Sequence, residues 1–324
     1  MRTLAALFVL SCVAAVHAQR PAPDPASAPT QSQTAASIRI TLLGTGAGPP
    51  VRPARAGVGT LIEAGSEHLL FDAGYGVLRR LVESGKAMDA VSPVFLTHLH
   101  SDHVVELPAL LLLPWAGPSA RDVPLRVWGP AGTRAMMRGL TRAFAADIHL
   151  RRDVDEKASR RGIEVESHDI REGVVYTHNG VSVRAFLVDH GPVKPAYGYR
   201  VDYQGRSVVI SGDTRVSEAL VANASGVDVL LHEAIDPDFL RQQAPSPQLF
   251  DAIVSHHTTP EQAAGVFART RPKLAVYTHS PGSQALVDGA RRAGYDGPLE
   301  IGDDLMVIDV GPEVRVTRTA APQR

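Results

Sequence analysis

The sequence contains a single cysteine, Cys12, which lies in an apolar run near the start of the chain. This run extends from Leu4 to Val16, follows Arg2, and is typical of a secretory signal peptide cleaved after Ala18. Without that peptide, no cysteine is left to form a disulfide or to offer a thiolate to a metal. Any metal site in the remaining chain must then use histidine and carboxylate ligands.

An excess of basic residues is also missing, because 33 Lys and Arg stand against 34 Asp and Glu. The formal net charge of -1 excludes a surface that neutralises a phosphate backbone nonspecifically. Nucleic acid is therefore not the expected partner, and we expect a small-molecule ester as the substrate. After the signal peptide, no apolar run reaches the roughly 20 residues of a membrane span. The sequence predicts a periplasmic or secreted protein, with lipoprotein anchoring through Cys12 as the alternative. It leaves the oligomeric state open, a homodimer being one possibility.

The predicted signal peptide covers residues 1–18, and large apolar residues are almost absent from the stretch that follows it. The Pro, Ala, Ser, Gln and Thr found there predict a disordered linker over residues 19–37. From residue 38 to 318, β-rich runs alternate with helical stretches, which predicts one α/β domain with helices on the outer faces of its sheets, followed by a tail, 319–324. Among these elements we expect a strand at Val91–Leu96, a helix at Val104–Leu113 and a helix at Pro260–Thr270 that is capped by Thr259.

Four possible metal ligands lie within six residues directly after the predicted strand at Val91–Leu96. They are His98, His100, Asp102 and His103. Residues two apart in an extended segment share a side, so the first two can reach one ion while the other two turn toward another. A histidine-rich polar loop is the alternative, but this spacing at a strand end favours a metal site.

This segment resembles the H-x-H-x-D-H signature of the metallo-β-lactamase superfamily and matches it completely. The resemblance implies an αββα sandwich in which His98 and His100 bind one metal, and Asp102 and His103 bind the second. It also implies that Asp72 is a structural element beside the site. Three later strand ends supply the remaining ligands implied by the family: His190 for the first metal, His279 for the second, and Asp213 as the bridge.

A site of five imidazoles and two carboxylates suits zinc, with manganese or iron as alternatives. We therefore expect two Zn²⁺ ions per chain. Two such cations lower the pKa of a shared water and polarise the substrate, so the expected reaction is attack by a metal-bridging hydroxide.

Two further motifs, Leu231–Ala234 and His257–Ala263, resemble paired motifs of the RNase Z and arylsulfatase-like branch. The resemblance implies that His257, oriented by Glu233, protonates the leaving-group oxygen, and that Asp102 contacts the nucleophilic water. A purely structural hydrogen bond between Glu233 and His257 is the alternative. We expect His232 to support the metal shell and His256 to be solvated.

Bacterial RNase Z proteins carry an extruded tRNA-binding arm between the ligands matching His190 and Asp213, and only 22 residues separate them here. The sequence therefore favours an arylsulfatase-like hydrolase of small sulfate or phosphate esters. The alternatives are an RNase Z-like phosphodiesterase or endoribonuclease, a lactonase and, from another class, a noncatalytic metal-binding sensor. Antibiotic hydrolysis is disfavoured because β-lactamases generally lack the aspartate bridge and the pair formed by Glu233 and His257.

Overall fold

The structure is a computed structural model that describes residues 37–318. The predicted signal peptide with Cys12, nearly all of the predicted linker and the tail lie outside the described residues. Within residues 37–318, no helix is both long enough and apolar enough to cross a membrane.

The described residues form two sheets. In chain order the strands are β1 (Ile38–Gly44), β2 (Gly59–Ala64), β3 (Glu67–Phe71), β4 (Val94–Phe95), β5 (Leu125–Gly129), β6 (Val165–Asp169), β7 (Gly173–His178), β8 (Val181–His190), β9 (Val193–Tyr203), β10 (Arg206–Ile210), β11 (Val229–Glu233), β12 (Leu274–Thr278), β13 (Leu299–Ile301), β14 (Val307–Val310) and β15 (Val314–Thr317). The first sheet has the order β15-β14-β1-β2-β3-β4-β5-β6, and the second has the order β13-β12-β11-β10-β9-β8-β7.

Ten α-helices lie within residues 37–318. They are α1 (Val77–Glu83), α2 (Ser101–Val104), α3 (Leu107–Leu112), α4 (Thr133–Ala143), α5 (Ala145–His149), α6 (Glu218–Ala224), α7 (Pro237–Gln243), α8 (Pro247–Val254), α9 (Pro260–Thr270) and α10 (Ala285–Arg292). One apolar core lies between the sheets, a second joins the first sheet to α1, α3 and α4, and a third joins the second sheet to α6, α9 and α10. The predicted αββα sandwich is confirmed.

Proline explains two differences from the predicted elements. The strand expected at Val91–Leu96 pairs only over Val94 and Phe95, because Pro93 has no N–H to donate to a neighbouring strand. The helix expected at Val104–Leu113 is shorter and begins at Leu107 as α3, since Pro108 cannot hydrogen-bond back into a preceding turn and instead lies in the first turn of α3; Val104 is the last residue of α2.

Helix α9 begins where its capping residues predict. The Thr259 hydroxyl accepts from the Gln262 backbone N–H at 3.4 Å, and the Gln262 side chain accepts from the Thr259 N–H at 3.0 Å. This reciprocal cap fixes the start of α9 three residues after His257. Helices α7 and α8, which we did not predict, carry the same kind of signal, since capping residues Asp236 and Ser246 each precede a proline.

Candidate metal centre

Strand ends from both sheets converge on one buried point. The segment after β4 carries the histidine-rich motif, β8 ends on one predicted ligand, and two more follow β10 and β12. The structure brings together all seven predicted ligands. One group whose ligand atoms all lie within 4.8 Å of one another contains His98, His100, His190 and Asp213, and a second contains Asp102, His103 and His279.

Asp213 lies between the two groups. Its Oδ2 is 3.4 Å from His103 Nε2 and 3.9 Å from both His98 Nε2 and His190 Nε2, while its Oδ1 is 3.4 Å from His279 Nδ1. The carboxylate is 3% exposed. This position between imidazoles of both groups is the one that a bridging ligand requires.

The outer ring nitrogens of three histidines are held by neighbouring groups. Asp72 Oδ2 lies 2.8 Å from His103 Nδ1, Thr97 Oγ1 lies 3.1 Å from His98 Nδ1, and the carbonyl oxygen of the residue before His257 lies 3.1 Å from His190 Nδ1. Such contacts fix the orientation of an imidazole and leave its other nitrogen to face a metal. Asp72 therefore lies beside the site, as the family resemblance implies.

Several buried polar atoms at the centre of the cluster have no hydrogen-bond partner among the described residues. They are His98 Nε2, His103 Nε2, His279 Nδ1 and Asp213 Oδ1. Buried polar atoms are normally paired, and four orphans that face one another form a set of lone pairs suited to cations. Burial lowers the pKa of His98 well below its ordinary value, so this ring is the neutral species that binds metal. The residues present therefore fit metal ions.

Asp102 is packed on one side by a glycine of the turn after β1. A Cβ added to Gly48 would lie 2.1 Å from the Asp102 Cβ, so only glycine fits at this position. The Asp102 carboxylate lies 3.2 Å from His279 Nε2 and 3.6 Å from His103 Nε2. Burial opposes ionisation here, but these imidazoles hold the pKa of Asp102 well below its usual range. The sequence reasoning missed this use of the glycine-rich turn.

Glu233 and His257 form a pair at the rim of the metal cluster. His257 Nδ1 is 2.9 Å from Glu233 Oε1, which also accepts hydrogen bonds from the backbone N–H groups of Thr214 and Thr258. Burial opposes a charge on His257, but the Glu233 carboxylate raises the pKa of His257 to about 9. A ligand atom of His257 also lies within 4.8 Å of those of Asp213 and His279. The ring is therefore tethered on one side and close to the cluster on the other.

Two histidines differ from expectation. His232 does not support the metal shell, and that prediction was wrong: neighbouring strand residues face opposite sides, so it turns away from Glu233 toward the α9 ring of Phe267, 5.7 Å away. His256, expected to be solvated, is half-buried, with its ring centre 4.9 Å from that of His190 and 5.0 Å from that of His257. Only the folded chain places this ring beside the cluster.

The segment between His190 and Asp213 is fully described and contains only β9, β10 and short turns. Two residues connect β8 to β9, and two connect β9 to β10. The expected absence of an extruded arm from this segment is therefore confirmed.

A sequence profile described as "Beta-lactamase superfamily domain" matches residues 67–280. Among curated proteins, the chain is 38% identical over 287 residues to a protein named "Ribonuclease Z" from Mycobacterium sp. (strain KMS), covering 86% of this chain and 98% of the relative. It is 36% identical over 282 residues to a protein of the same name from Mycobacterium bovis (strain BCG / Pasteur 1173P2), covering 85% and 99%.

Solved structures show the same fold. The chain matches human tRNase Z, short form, with a TM-score of 0.64 and 25% identity, covering 84% of this chain and 99% of that one. It also matches the metallo-beta-lactamase fold protein YhfI from Bacillus subtilis with a TM-score of 0.63 and 18% identity, covering 83% and 98%.

Proposed function

Since the chain belongs to the metallo-β-lactamase superfamily and is an ester-bond hydrolase of it, we propose that it is a phosphodiesterase of the ribonuclease Z type. The observation that carries the proposal is the contact between His257 and Glu233 at the rim of the metal cluster. When a phosphodiester of a nucleotide chain is hydrolysed, the leaving group is a ribose alkoxide, which is a poor leaving group and needs a proton. A tethered imidazole beside the cluster is placed to supply that proton.

In this proposal the two ligand groups would hold two zinc ions, and Asp213, whose carboxylate lies between the groups, would serve both. When bound, such ions lower the pKa of water and polarise the phosphoryl group. The chain's own residues orient the ligands through Asp72 and Thr97. Glu233 holds Nδ1 of His257, so that the other ring nitrogen donates to the leaving oxygen.

The comparisons change the expected substrate. We predicted an arylsulfatase-like hydrolase and disfavoured nucleic acid, but the similar curated proteins are named ribonuclease Z. Net charge close to zero limits nonspecific binding to a long polyanion, but it places no limit on a short single strand bound at the metals. We therefore propose an RNA or oligonucleotide phosphodiester as the substrate.

We further propose that the protein is exported, because residues 1–18 have the composition of a signal peptide. Export would bring the enzyme to nucleic acid outside the cytoplasm. N-terminal sequencing of the protein recovered from the native cell envelope and medium tests this: a first residue at Gln19 is expected, and an intact Met1 in the cytoplasm contradicts it.

The function is tested with purified protein reconstituted with zinc. Substrates are a short single-stranded RNA, bis(4-nitrophenyl) phosphate, an aryl sulfate, a lactone and a cephalosporin. We expect chelator-sensitive cleavage of the two phosphodiesters. His257→Ala should lower kcat on RNA by about 10²- to 10⁴-fold. His149→Ala, at an exposed histidine of α5, should leave it unchanged.

Each other outcome has a defined meaning. Turnover of the aryl sulfate without turnover of either phosphodiester would restore the sulfatase prediction. RNA binding without cleavage, retained in Asp102→Ala, would favour the noncatalytic sensor. Equal kcat values for wild type and His257→Ala on RNA would refute the role of this ring.

A further inference from the structure

A small cavity between the two sheets adjoins the metal cluster. Its polar lining includes the proposed ligands His103, Asp213 and His279 as well as Glu233, Thr278 and Ser211, and its apolar walls include Val58 and Phe71. The cavity offers about 10 Å³ to the centre of a water-sized sphere, which is close to the minimum for one water molecule.

Two buried oxygens that belong to residues lining this cavity have no hydrogen-bond partner among the described residues. They are Glu233 Oε2 and Thr278 Oγ1. The two residues are direct neighbours in the parallel pairing of β11 with β12, so their side chains lie on the same face of the sheet. Glu233 is 1% exposed and Thr278 is 4% exposed, so bulk water does not satisfy either oxygen.

The other carboxylate oxygen of Glu233 is fully committed. Oε1 accepts hydrogen bonds from His257 Nδ1 at 2.9 Å, from the Thr214 N–H at 3.1 Å and from the Thr258 N–H at 3.3 Å. A buried carboxylate with three donors on one oxygen and none on the other is unbalanced, because a buried acceptor without a donor destabilises the orientation that leaves it unpaired. The carboxylate can rotate to relieve this imbalance, and rotation would release His257.

We propose that Thr278 is a positioning residue for the acid pair, acting through one water molecule in the cavity. The water donates to Glu233 Oε2 and hydrogen-bonds to Thr278 Oγ1, with the Ser211 hydroxyl as a further polar neighbour. Held on both oxygens, Glu233 keeps its orientation and keeps His257 aimed at the leaving oxygen. This inference rests on the proposed function, since it assigns Thr278 to the reaction that His257 assists.

The test compares Thr278→Val, which removes the hydroxyl and keeps the shape, with Thr278→Ser, which keeps the hydroxyl. Thr270→Val is the matched control, because the Thr270 hydroxyl is also buried but is bonded to the Val266 carbonyl within α9. Each variant is assayed on a dinucleotide, whose leaving group is a ribose alkoxide, and on bis(4-nitrophenyl) phosphate, whose leaving group needs little protonation.

We expect Thr278→Val to lower kcat on the dinucleotide about tenfold and on bis(4-nitrophenyl) phosphate less than twofold, with unchanged KM and metal content. Thr278→Ser should restore the dinucleotide rate. Equal losses on both substrates, or a loss of bound metal, would overturn the inference in favour of a structural role for Thr278. An unchanged dinucleotide rate would overturn it as well.

A crystal structure at high resolution gives a readout that does not depend on activity. The wild type should show one water within about 3 Å of Glu233 Oε2 and Thr278 Oγ1, and Thr278→Val should lose it or show a rotated Glu233 carboxylate. A dry cavity in the wild type would overturn the inference. Absence of phosphodiester cleavage by the wild type would instead refute the proposed function, and the crystallographic result would still stand.

Discussion

Asp72→Asn tests how strongly the Asp72 carboxylate supports the proposed metal ligand His103. Asp72 adopts φ of +60°, a left-handed conformation in which asparagine and aspartate are enriched, so this change adds little backbone strain. The wild-type carboxylate accepts from the Thr97 N–H at 2.8 Å, from the Thr97 hydroxyl, and from His103 Nδ1 at 2.8 Å. All of these partners are donors, and an asparagine side chain presents one oxygen and one NH₂ group to them. One contact is therefore lost.

The magnitude follows from the burial of this contact. His103 is 1% exposed and Asp72 is 3% exposed, so solvent does not replace the lost hydrogen bond. Hydrogen bonds to charged groups contribute about 1.5–3 kcal/mol. If the NH₂ group faces His103, the imidazole loses its anchor, and this energy corresponds to about 10- to 100-fold weaker binding of the ion held by His103.

The assay is competition for zinc against a chromophoric chelator, with metal content measured after dialysis. We expect one tight and one weakened zinc site in Asp72→Asn. A change in the melting temperature of the metal-free protein does not bear on this prediction. The control is Asp309→Asn, which breaks the Arg39 ion pair away from the site and should leave both affinities as in the wild type. Wild-type affinity at both sites in Asp72→Asn would refute the reasoning.

Two further predictions concern stability. The Glu67 carboxylate accepts hydrogen bonds from Tyr176 and His178 of the opposite sheet; burial raises its pKa, but these donors lower it overall. A lowered carboxyl pKa stabilises the fold above the ordinary value of 4.5 and loses that effect as the pH falls, so Glu67→Gln should cost about 1–3 kcal/mol at pH 7 and less below pH 4.5 in urea unfolding. A pH-independent difference would contradict this. Arg121 is 3% exposed and donates to three backbone carbonyls. Arg121→Met should therefore lower the free energy of unfolding by about 3 kcal/mol. An equal loss in Arg79→Met, at an exposed arginine, would count against this prediction.

The candidate ligands could be predicted because they follow apolar strands. A strand end is visible in the sequence, and the family resemblance implied that His98, His190 and Asp213 meet, although β4 belongs to one sheet and β8 and β10 to the other. The start of α9 was equally visible, since its cap is formed by residues three apart. These signals come from residues close together in the sequence, so they can be recognised without the tertiary structure.

The errors came from contacts with distant partners. His232 and Glu233 are adjacent in sequence, and their opposite roles depend on which face of β11 meets the other sheet. His256 was judged by its neighbours in sequence, but its contact with His190 joins residues 66 positions apart. The substrate expectation is a different case, because the similar curated proteins favour the ribonuclease Z alternative over the arylsulfatase-like interpretation.

The sequence by itself determined the fold class and the chemistry of the ligands, through residue types, short spacings and the family motifs that they match. The pairing of His257 with Glu233, 24 positions away, was implied by the resemblance. Only the tertiary structure decided that Asp213 lies between both ligand groups, that Asp72 holds His103, and that Glu233 and Thr278 line one small cavity. These facts depend on strand register and on the packing of two sheets. Register and packing join residues that no local pattern connects.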